Sequence, residues 1–426
     1  MKKVLVVVLS MLMMVSMMQS VLAADKIKLT MFEYQDLTDP VDVANFDELI
    51  AAFAKENPDI ELDMEKLFDE AYHNKLQAMA VAGQIPDMLF LWPGKRTGLV
   101  TSKGLIKDLR PWIEGHEGEF AAGTLNAQGP NGEIYELPEQ MTSTHVMFTN
   151  EKLLKDLGLT FPKTLDELIA QGDVIREAGL IPISMANKGG WQMQSCLLSA
   201  LTERAGGLDW YDKAITGEAS FADPEFVNAL TVIETLAKND MFMPGINQAD
   251  YGAGLTEFVN ERAVYHIDGG WRVNNLVGEL TEEQKPYIKL NTFPEIPNQK
   301  GQAGSTAMVA GTGYGMNADL DGEKAEAAWK WIWFYSGPVG SKIRQKNGAM
   351  TAYNLPANDD LDILIKALNT FIAETPSGYV IDAKMDAEGM AVLHAGLQEL
   401  IMGAKTPEQV AQDYETWVAE NDSNRK

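Results

Sequence analysis

An alternation of strand and helix patterns near the start of the chain constrains the fold more than any other feature. Apolar residues recur at every second position, then at helical spacing, and this order repeats before a continuous apolar run. The segments are a strand at 27–31, a helix at 46–53, a strand at 60–64, a helix at 72–79 and a buried strand at 88–92. Strands that alternate with helices predict an α/β fold in which helices cover both faces of a parallel sheet. The loops that follow the strands, 33–39 and 93–96, should then share one edge of that sheet.

A second unit is expected to begin near Thr144. Thr164 and Glu167 form a capping-box pattern at the start of a further helix, and Asp223-Pro224 opens another. We interpret these caps as structural only. About 400 residues remain after the N-terminal segment described below, which suggests two or three domains joined by short crossings.

A tryptophan directly follows two glycines at the end of an expected strand. Apolar and polar residues alternate from Val264 to Asp268, which predicts a strand with one buried face. Gly269-Gly270 lets the backbone turn sharply or lets another group approach closely. Trp271 then lies where open α/β sheets place their ligand crevices. The alternative is a core tryptophan beneath a loop.

The N-terminus has the pattern of a secretory signal peptide. Met1-Lys2-Lys3 precedes an apolar stretch that ends in the small-residue site Val21-Leu22-Ala23. We expect cleavage after Ala23, although an uncleaved anchor is the alternative, because the apolar stretch nearly reaches the roughly 20 residues that span a bilayer. The only cysteine, Cys196, lies far from this site. It therefore provides neither a lipid attachment nor an intramolecular disulfide, and the mature protein should be soluble.

Charge excludes two classes of partner. The chain has 35 basic and 61 acidic side chains and a formal net charge of −26. A surface this acidic repels nucleic acid and anionic lipid.

Catalytic motifs are missing from the sequence. It has no Gly-x-Ser-x-Gly elbow, no phosphate-binding loop and no His-Glu-x-x-His pair, and its five histidines lack metal-ligand spacing. We therefore expect neither a cofactor nor a metal. A secreted glycoside hydrolase stays open as an alternative, because its two carboxylates are set by the fold and not by spacing.

Aromatic residues recur beside amide and charged groups where strands are expected to end. A sugar presents apolar C–H faces, which flat aromatic rings cover, and hydroxyls, which amide and charged side chains bind. Each residue alone is more often a packing or surface residue, but together they predict a carbohydrate site. The candidates are Glu33, Tyr34, Gln35, Trp92, Gln140, Trp191, Gln192, Asp268, Trp271, Arg272 and Tyr314.

Several segments, in this order, resemble the extracellular solute-binding proteins of ABC importers, family 1, which includes maltose- and oligosaccharide-binding proteins. The resemblance covers nearly the whole chain. Three segments depart from the family pattern: Thr149 and Glu151 replace a tyrosine and a lysine, Leu165 replaces a tryptophan, and Glu261-Arg262 replaces Gly-Lys. The segments that carry it are 53–60, 75–87, 104–109, 132–138, 149–153, 162–168, 261–271, 327–329 and 402–403.

The resemblance implies two α/β lobes, a hinge and no catalysis. Residues 24–143 with 311–350 would form one lobe, and 144–310 with 351–426 the other. Three crossings would lie near Ser143, Ala310 and Thr351, with Gly311 and Gly313 suited to bending. The ligand would bind in the interlobe cleft of a monomer, which would then dock on a membrane permease.

The resemblance also assigns roles to the candidate residues. Trp271 would be an aromatic platform with Asp268 as its polar neighbour, and Trp191-Gln192 would belong to a second-lobe stacking loop. The strand-end segments 33–35 and 92 would reach the ligand from the first lobe, and Gln140 from a crossing. Oligosaccharide is favoured as the ligand. Within the family, a glycerol phosphate ester would need clustered arginines or free helix N-termini, and a polyamine would need carboxylates beside aromatics.

Overall fold

The computed structural model describes residues 26–425, apart from 122, 126–128, 130 and 357. The predicted signal peptide over 1–23, with its cleavage site, lies outside the described residues. In the part of the chain that the structure describes, no helix is long and apolar enough to cross a membrane.

Strands and helices alternate along much of the chain, and the predicted α/β class is confirmed. In the described residues the strands are β1 (Ile27–Tyr34), β2 (Ile60–Leu67), β3 (Met88–Leu91), β4 (Leu137–Pro138), β5 (Met141–Ser143), β6 (Val146–Asn150), β7 (Ile181–Ser184), β8 (Ala263–Asp268), β9 (Ile288–Asn291), β10 (Thr306–Ala310), β11 (Gly313–Met316) and β12 (Ser377–Gly378). The α-helices are α1 (Pro40–Glu56), α2 (Asp69–Ala82), α3 (Gly98–Ser102), α4 (Arg110–Ile113), α5 (Glu151–Asp156), α6 (Leu165–Glu177), α7 (Trp191–Met193), α8 (Ser199–Gly206), α9 (Leu208–Thr216), α10 (Pro224–Lys238), α11 (Tyr251–Val259), α12 (Arg272–Glu279), α13 (Gly322–Ser336), α14 (Pro338–Lys346), α15 (Ile363–Glu374), α16 (Ile381–Lys384), α17 (Ala387–Ile401) and α18 (Pro407–Asn421).

The first sheet has the strand order β2-β1-β3-β11-β4, and we call it, with the helices packed on it, the N-terminal unit. β1 is parallel to β2 and β3, as predicted from the βαβαβ pattern. β11 instead runs antiparallel to β3 and β4, so the sheet is mixed and not wholly parallel. Only Gly311 and Thr312 separate β11 from β10 of another sheet. β11 therefore enters this sheet at the carboxyl end of β3, where Gly313 pairs with Leu91, and runs back along that strand.

Local signals set the helices of this unit where the sequence predicts them. The side chain of Asp39 accepts the backbone N–H groups of Val41 and Asp42, and Pro40 fits the first helical position, so α1 begins directly after the β1 loop. α2 ends at Gly83, whose φ of +66° favours glycine. In the core of the unit, Trp331 of α13 is fully buried and meets the ring of Phe53 edge-on at 5.0 Å.

The second sheet has the order β7-β8-β6-β9 and belongs to what we call the C-terminal unit. β8 is the strand predicted from Val264 to Asp268, but both of its faces are buried, where the alternation predicted one. The polar face is covered because His266 stacks between Phe148 at 6.1 Å and Phe258 at 5.7 Å. The Thr164 cap of α6 is confirmed, since its hydroxyl accepts the N–H of Glu167.

Two of the segments where crossings are expected, β5 and β10, lie side by side in a small three-stranded sheet of the order β12-β10-β5. β5 pairs antiparallel with β10, which places Ser143 opposite Met308, and β12 pairs with the other edge of β10. Gln140 forms a bridge with Thr351, which brings the third predicted crossing next to β5. Ala352, beyond the expected lobe boundary at 350, packs in the core of the N-terminal unit.

Replacing Trp331 with alanine should lower the free energy of unfolding by about 3–5 kcal/mol, because a large buried side chain leaves a cavity that its neighbours fill only partly. Trp329→Ala is the matched control on the same helix. Its half-buried side chain leaves space open to water, so the loss should stay below about 2 kcal/mol. Urea unfolding followed by circular dichroism measures both. Equal losses in the two variants would contradict the placement of Trp331.

Candidate functional site

A cavity of about 280 Å³ lies between the two units and is bounded behind by the crossing strands. Both predicted strand-end loops reach it, since Asp36 and Asp39 line it from one and Pro93 and Arg96 from the other. Eight of the eleven predicted site residues line this cavity: Glu33, Tyr34, Gln35, Trp92, Gln140, Trp191, Trp271 and Arg272.

Aromatic rings form two facing walls. On the N-terminal unit, the ring of Tyr34 meets that of Trp92 edge-on, with centroids 4.7 Å apart. The ring of Phe68 is tilted against Tyr34 at a centroid distance of 4.9 Å. On the C-terminal unit, Trp191 lies 4.7 Å from Tyr251 and 6.1 Å from Trp271 between ring centroids. Phe68 and Tyr251 approach to 5.8 Å across the interface, and their contact joins the two walls at one end of the cavity. Both walls thus offer flat apolar surface to a ligand between them.

The two glycines before Trp271 are explained by close approach and not by a turn. Neither has a positive φ. A Cβ on Gly269 would lie 2.3 Å from the indole ring of Trp271, and one on Gly270 would lie 3.0 Å from Leu368. The N–H of Gly270 donates to the carbonyl of Ser143 at 2.7 Å. The glycine pair therefore allows the indole to fold back over the end of β8 beside a crossing strand.

Asp268 and Arg272 form a buried ion pair behind the aromatic wall. The guanidinium Nε donates to Asp268 Oδ2 at 2.9 Å, and the guanidinium carbon lies 3.8 Å from the centroid of Tyr251. Burial alone would raise the pKa of Asp268, but the charge and hydrogen bond of Arg272 and the nearby His266 lower it below its usual value. Trp271 Nε1 in turn donates to the Tyr251 hydroxyl at 2.5 Å. The pair thus fixes the orientation of the rings on this side.

Three predicted ligand contacts lie behind the cavity surface, which corrects their expected role. Asp268 has no exposed surface, and its carboxylate accepts hydrogen bonds from Arg272 and Gln192. The Gln192 amide donates to Asp268 and to the Ile267 carbonyl and accepts the N–H of Ala186, all at 3.0 Å. Tyr314 is fully buried and donates its hydroxyl to Glu33 Oε2. These side chains position cavity residues, because their own polar groups are bound to protein.

Carboxylates that the sequence analysis did not select line the N-terminal side. Asp36, Asp39 and Asp42 follow Glu33 from the end of β1 into the first turn of α1, and Glu139 also lines the cavity. The pKa of Asp42 is raised to about 7, mainly because the carboxyl group is buried and also because the charge of Asp39 is close. Burial likewise raises the pKa of Glu33 well above its usual value, against the lowering effect of the Tyr314 hydrogen bond.

Three buried polar atoms of residues that line the cavity have no hydrogen-bond partner in the described part of the chain. They are Oε1 of Gln35, Oγ1 of Thr142 and Nδ1 of His73, and these residues are 2%, 6% and 7% exposed. Since buried polar atoms are almost always bonded, these positions are suited to a ligand.

Polar contacts also join the two units around the cavity. Asn45 Nδ2 donates to Asn274 Oδ1 at 2.8 Å, and Asn275 Nδ2 donates to Asp39 Oδ2 at 2.6 Å. On the other side, Arg96 Nη1 donates to Asp382 Oδ2 at 2.7 Å. The units therefore meet on both sides of the cavity.

Several lining residues went unrecognised in the sequence. Phe68 directly follows β2 and satisfies the strand-end rule that selected Tyr34 and Trp92, so the same signal would have found it. Tyr251 opens helix α11, and Thr142 lies within a short crossing strand, so neither has a local signal. Among the described residues, no group of three or more His, Cys, Asp or Glu side chains is arranged to hold a metal ion.

Comparison with known proteins identifies the family. Residues 48–367 match the family of bacterial extracellular solute-binding proteins, and the chain belongs to it. The predicted resemblance is thereby confirmed.

Individual relatives are distant in sequence and similar in fold. A multiple sugar-binding protein of Streptococcus mutans is 23% identical over 66% of this chain and 65% of its own length, so the chain spans just under two thirds of that relative. A chain solved in a study of xylan utilization by Caldanaerobius polysaccharolyticus has a TM-score of 0.83 at 20% identity and covers 92% of this chain and 100% of its own. A chitin oligosaccharide binding protein has a TM-score of 0.82 at 22% identity, over 92% and 98%.

Replacing Asp268 with asparagine should lower the free energy of unfolding by about 3–5 kcal/mol at pH 7, because it leaves the charge of Arg272 buried without its partner. The folded-state pKa of Asp268 is lowered, so its ion pair contributes fully above the usual value of 3.8 and loses its contribution as the pH falls below that value. The difference between wild type and variant should therefore shrink below about pH 3.8.

Urea unfolding at pH 7, 5 and 3 measures this difference. Asp250→Asn is the control, since Asp250 pairs with Lys188 at the surface and is 81% exposed, and it should change stability by less than about 0.5 kcal/mol. An Asp268→Asn penalty that is small, or that is independent of pH, would contradict the buried pair.

Proposed function

We propose that this protein is the substrate-binding component of an ABC importer and captures a carbohydrate in the cavity between its two units. The observation that carries the proposal is the pair of facing aromatic walls, Tyr34, Trp92 and Phe68 opposite Trp191, Tyr251 and Trp271. Stacked sugar rings present apolar faces of the size that such walls cover. Carboxylate, amide and hydroxyl groups between the walls supply partners for sugar hydroxyls. The sugar-binding names of the relatives support the same ligand class.

The two units act as the lobes of a hinged clamp. The proposed lobes keep the expected bounds, 24–143 with 311–350 and 144–310 with 351–426, except that Ala352 packs with the first lobe. Bending at the three adjacent crossings would open the cavity and separate the Asn45–Asn274 contact. A ligand favours the closed arrangement only through contacts that it makes better there, and walls on opposite units provide them. The protein would work as a monomer after cleavage behind Ala23, outside the cytoplasmic membrane, and deliver its ligand to a permease without catalysis.

The phosphate alternative fits the site less well than a sugar. A phosphate ester needs free cationic groups, but Arg96 and Arg272 are already bound to Asp382 and Asp268. The N-terminus of α1, a possible phosphate site, is occupied by the side chain of Asp39. The polyamine argument based on Asp268 fails, since that carboxylate is buried and paired. A secreted hydrolase would turn over a bound oligosaccharide, and product analysis on purified protein separates it from a binding protein.

Thermal unfolding of residues 24–426 against mono- and oligosaccharides, glycerol phosphates and polyamines tests the ligand class. A ligand at 100 times its Kd should add roughly 2.7 kcal/mol of stability. Each kcal/mol raises the midpoint by about 2–4 °C in chains of 150–250 residues, and by less in this longer one. We expect a shift with one class of sugar. It should disappear in Trp271→Ala and persist in the control Trp329→Ala, whose indole lies on α13 away from the cavity. A shift only with phosphates would contradict the proposal.

Asn45→Ala tests closure without removing a residue that lines the cavity. The variant loses the 2.8 Å hydrogen bond to Asn274 across the units, which is worth about 0.5–1.5 kcal/mol. The Kd for the sugar found above should therefore rise by roughly twofold to twelvefold. The ligand-free protein should stay as stable, since alanine favours a helix more than asparagine does.

Isothermal titration calorimetry measures the Kd of this variant. Asn74→Ala, at an exposed position of α2, is the matched control and should bind like wild type. Unchanged affinity in Asn45→Ala would show that this contact does not stabilise the binding state.

A further inference from the structure

The cavity contains more carboxylate than its cations can neutralise. Its lining includes six acidic side chains against two arginines. Both arginines are already bound to carboxylates, Arg96 to Asp382 at 2.7 Å and Arg272 to Asp268 at 2.9 Å. The excess of negative charge thus remains after every cation in the lining has been assigned. The six acidic residues are Glu33, Asp36, Asp39, Asp42, Glu139 and Asp382.

Three of these carboxylates have no ion-pair partner. Glu139 is paired with Arg344 at 2.9 Å, and Asp39 lies 3.8 Å from Arg272. For Glu33, Asp36 and Asp42, no Lys, Arg or His nitrogen lies within 4.0 Å in the described part of the chain. They share one stretch, from the end of β1 to the first turn of α1, which places all three carboxyl groups on one side of the cavity. Burial disfavours ionisation of Glu33 by raising its pKa, so Asp36 and Asp42 are the main carriers of unpaired charge.

The unfilled hydrogen-bonding groups in the same lining include one donor, Nδ1 of His73, whose Nε2 accepts from Arg96, and a larger number of acceptors. The Oε1 atom of Gln35 is buried and unpartnered and can only accept. The Thr142 hydroxyl is also unpartnered and can donate or accept. Asp36 uses Oδ1 to accept from Thr38, and Asp42 uses Oδ2 to accept the N–H of Asp36, so each carboxylate has a second oxygen for a ligand. A fitting ligand therefore has donors in excess of acceptors.

Donor excess distinguishes an ammonium group from a hydroxyl. A sugar hydroxyl donates one hydrogen bond and brings two acceptor lone pairs that also need partners. An ammonium group donates three and accepts none, and its bonds to carboxylates are about twice as strong as neutral ones. A neutral ligand would remove Asp36 and Asp42 further from water without supplying opposite charge, which is costly for a carboxylate in its ionised form.

We propose that the preferred ligand is a saccharide that carries a protonated amine. Its ammonium group is bound by Asp36, Asp42 and the side-chain oxygen Oε1 of Gln35, and its sugar ring is held between the aromatic walls. This inference rests on the proposed carbohydrate function and names the class of sugar. The aromatic walls select a ring-shaped body, whereas the unpaired carboxylates select the charge. Cation–π attraction to the nearby aromatic faces adds to the same preference.

Three disaccharides that differ only at C2 test the charge directly. The β-1,4-linked disaccharide of glucosamine carries an amine, its N-acetylated form carries a neutral amide, and cellobiose carries a hydroxyl. Glucosamine, galactosamine and mannosamine are compared with their parent sugars to cover other ring configurations. Isothermal titration calorimetry at pH 7 should give a Kd at least tenfold lower for an amine than for its matched neutral sugar.

Carboxylate variants test which residues provide the preference. In Asp36→Asn/Asp42→Asn the ratio between the amine and its neutral match should fall to within about threefold, while binding of the neutral sugar stays or improves. Asp63→Asn, an exposed position on β2 outside the cavity, removes the same type of charge and should keep the full preference. Loss of the preference in Asp63→Asn as well would overturn the assignment to these two carboxylates.

The outcomes separate this inference from the proposed function. A neutral sugar that binds as tightly as its amine, or more tightly, overturns the amine proposal and leaves a carbohydrate-binding protein. Binding of spermidine or putrescine with no saccharide binding overturns the carbohydrate function as well. Failure of every saccharide, charged or neutral, has the same consequence. An amine preference that disappears in the double variant alone supports both proposals.

Discussion

The antiparallel pairing of Met141–Ser143 with Thr306–Ala310 is the constraint on which the rest of the structure depends. These strands carry the chain between two units that have separate sheets and separate cores. Their backbone hydrogen bonds join the units behind a space that stays open. The cavity occupies that space, and its rear wall includes Thr142 and Val309 from the paired strands. A bend in so narrow a connection would change the distance between the walls without disturbing either core.

Buried polar pairs then determine what each wall presents. Asp268 binds Arg272, which lies over the ring of Tyr251, and Tyr251 accepts the indole N–H of Trp271. A charge pair with no exposure thus orients an aromatic surface for the ligand. Tyr314 holds Glu33 in the same manner on the opposite unit. Such pairs contribute through orientation more than through net stability, since desolvation offsets much of their attraction.

Much of the fold and part of the site could be predicted from the sequence. The periodicity of residues 27–92 gave the right strands and helices because each pattern reports a local geometry. Tyr34, Trp92, Trp191 and Trp271 were found because strand ends in α/β sheets meet at one edge. The antiparallel direction of β11 was not predicted. β11 directly follows a strand of another sheet, and the local sequence does not show from which side it joins its own sheet. Tyr251 was missed because nothing in its local sequence differs from an ordinary helix start.

The sequence by itself determined the alternation of strands and helices, the aromatic residues at their ends and the acidic composition, because these are properties of short segments. Only the tertiary structure decided which polar side chains face the cavity. Asp268 and Gln192 look as exposed in sequence as Asp36 and Gln35, yet the first two are bound to each other behind the wall. Their partners are far away in the chain, as with Tyr314 and Glu33, 281 positions apart. Burial and pairing depend on three-dimensional neighbours, so the surplus of unpaired carboxylate emerges only once the chain has folded.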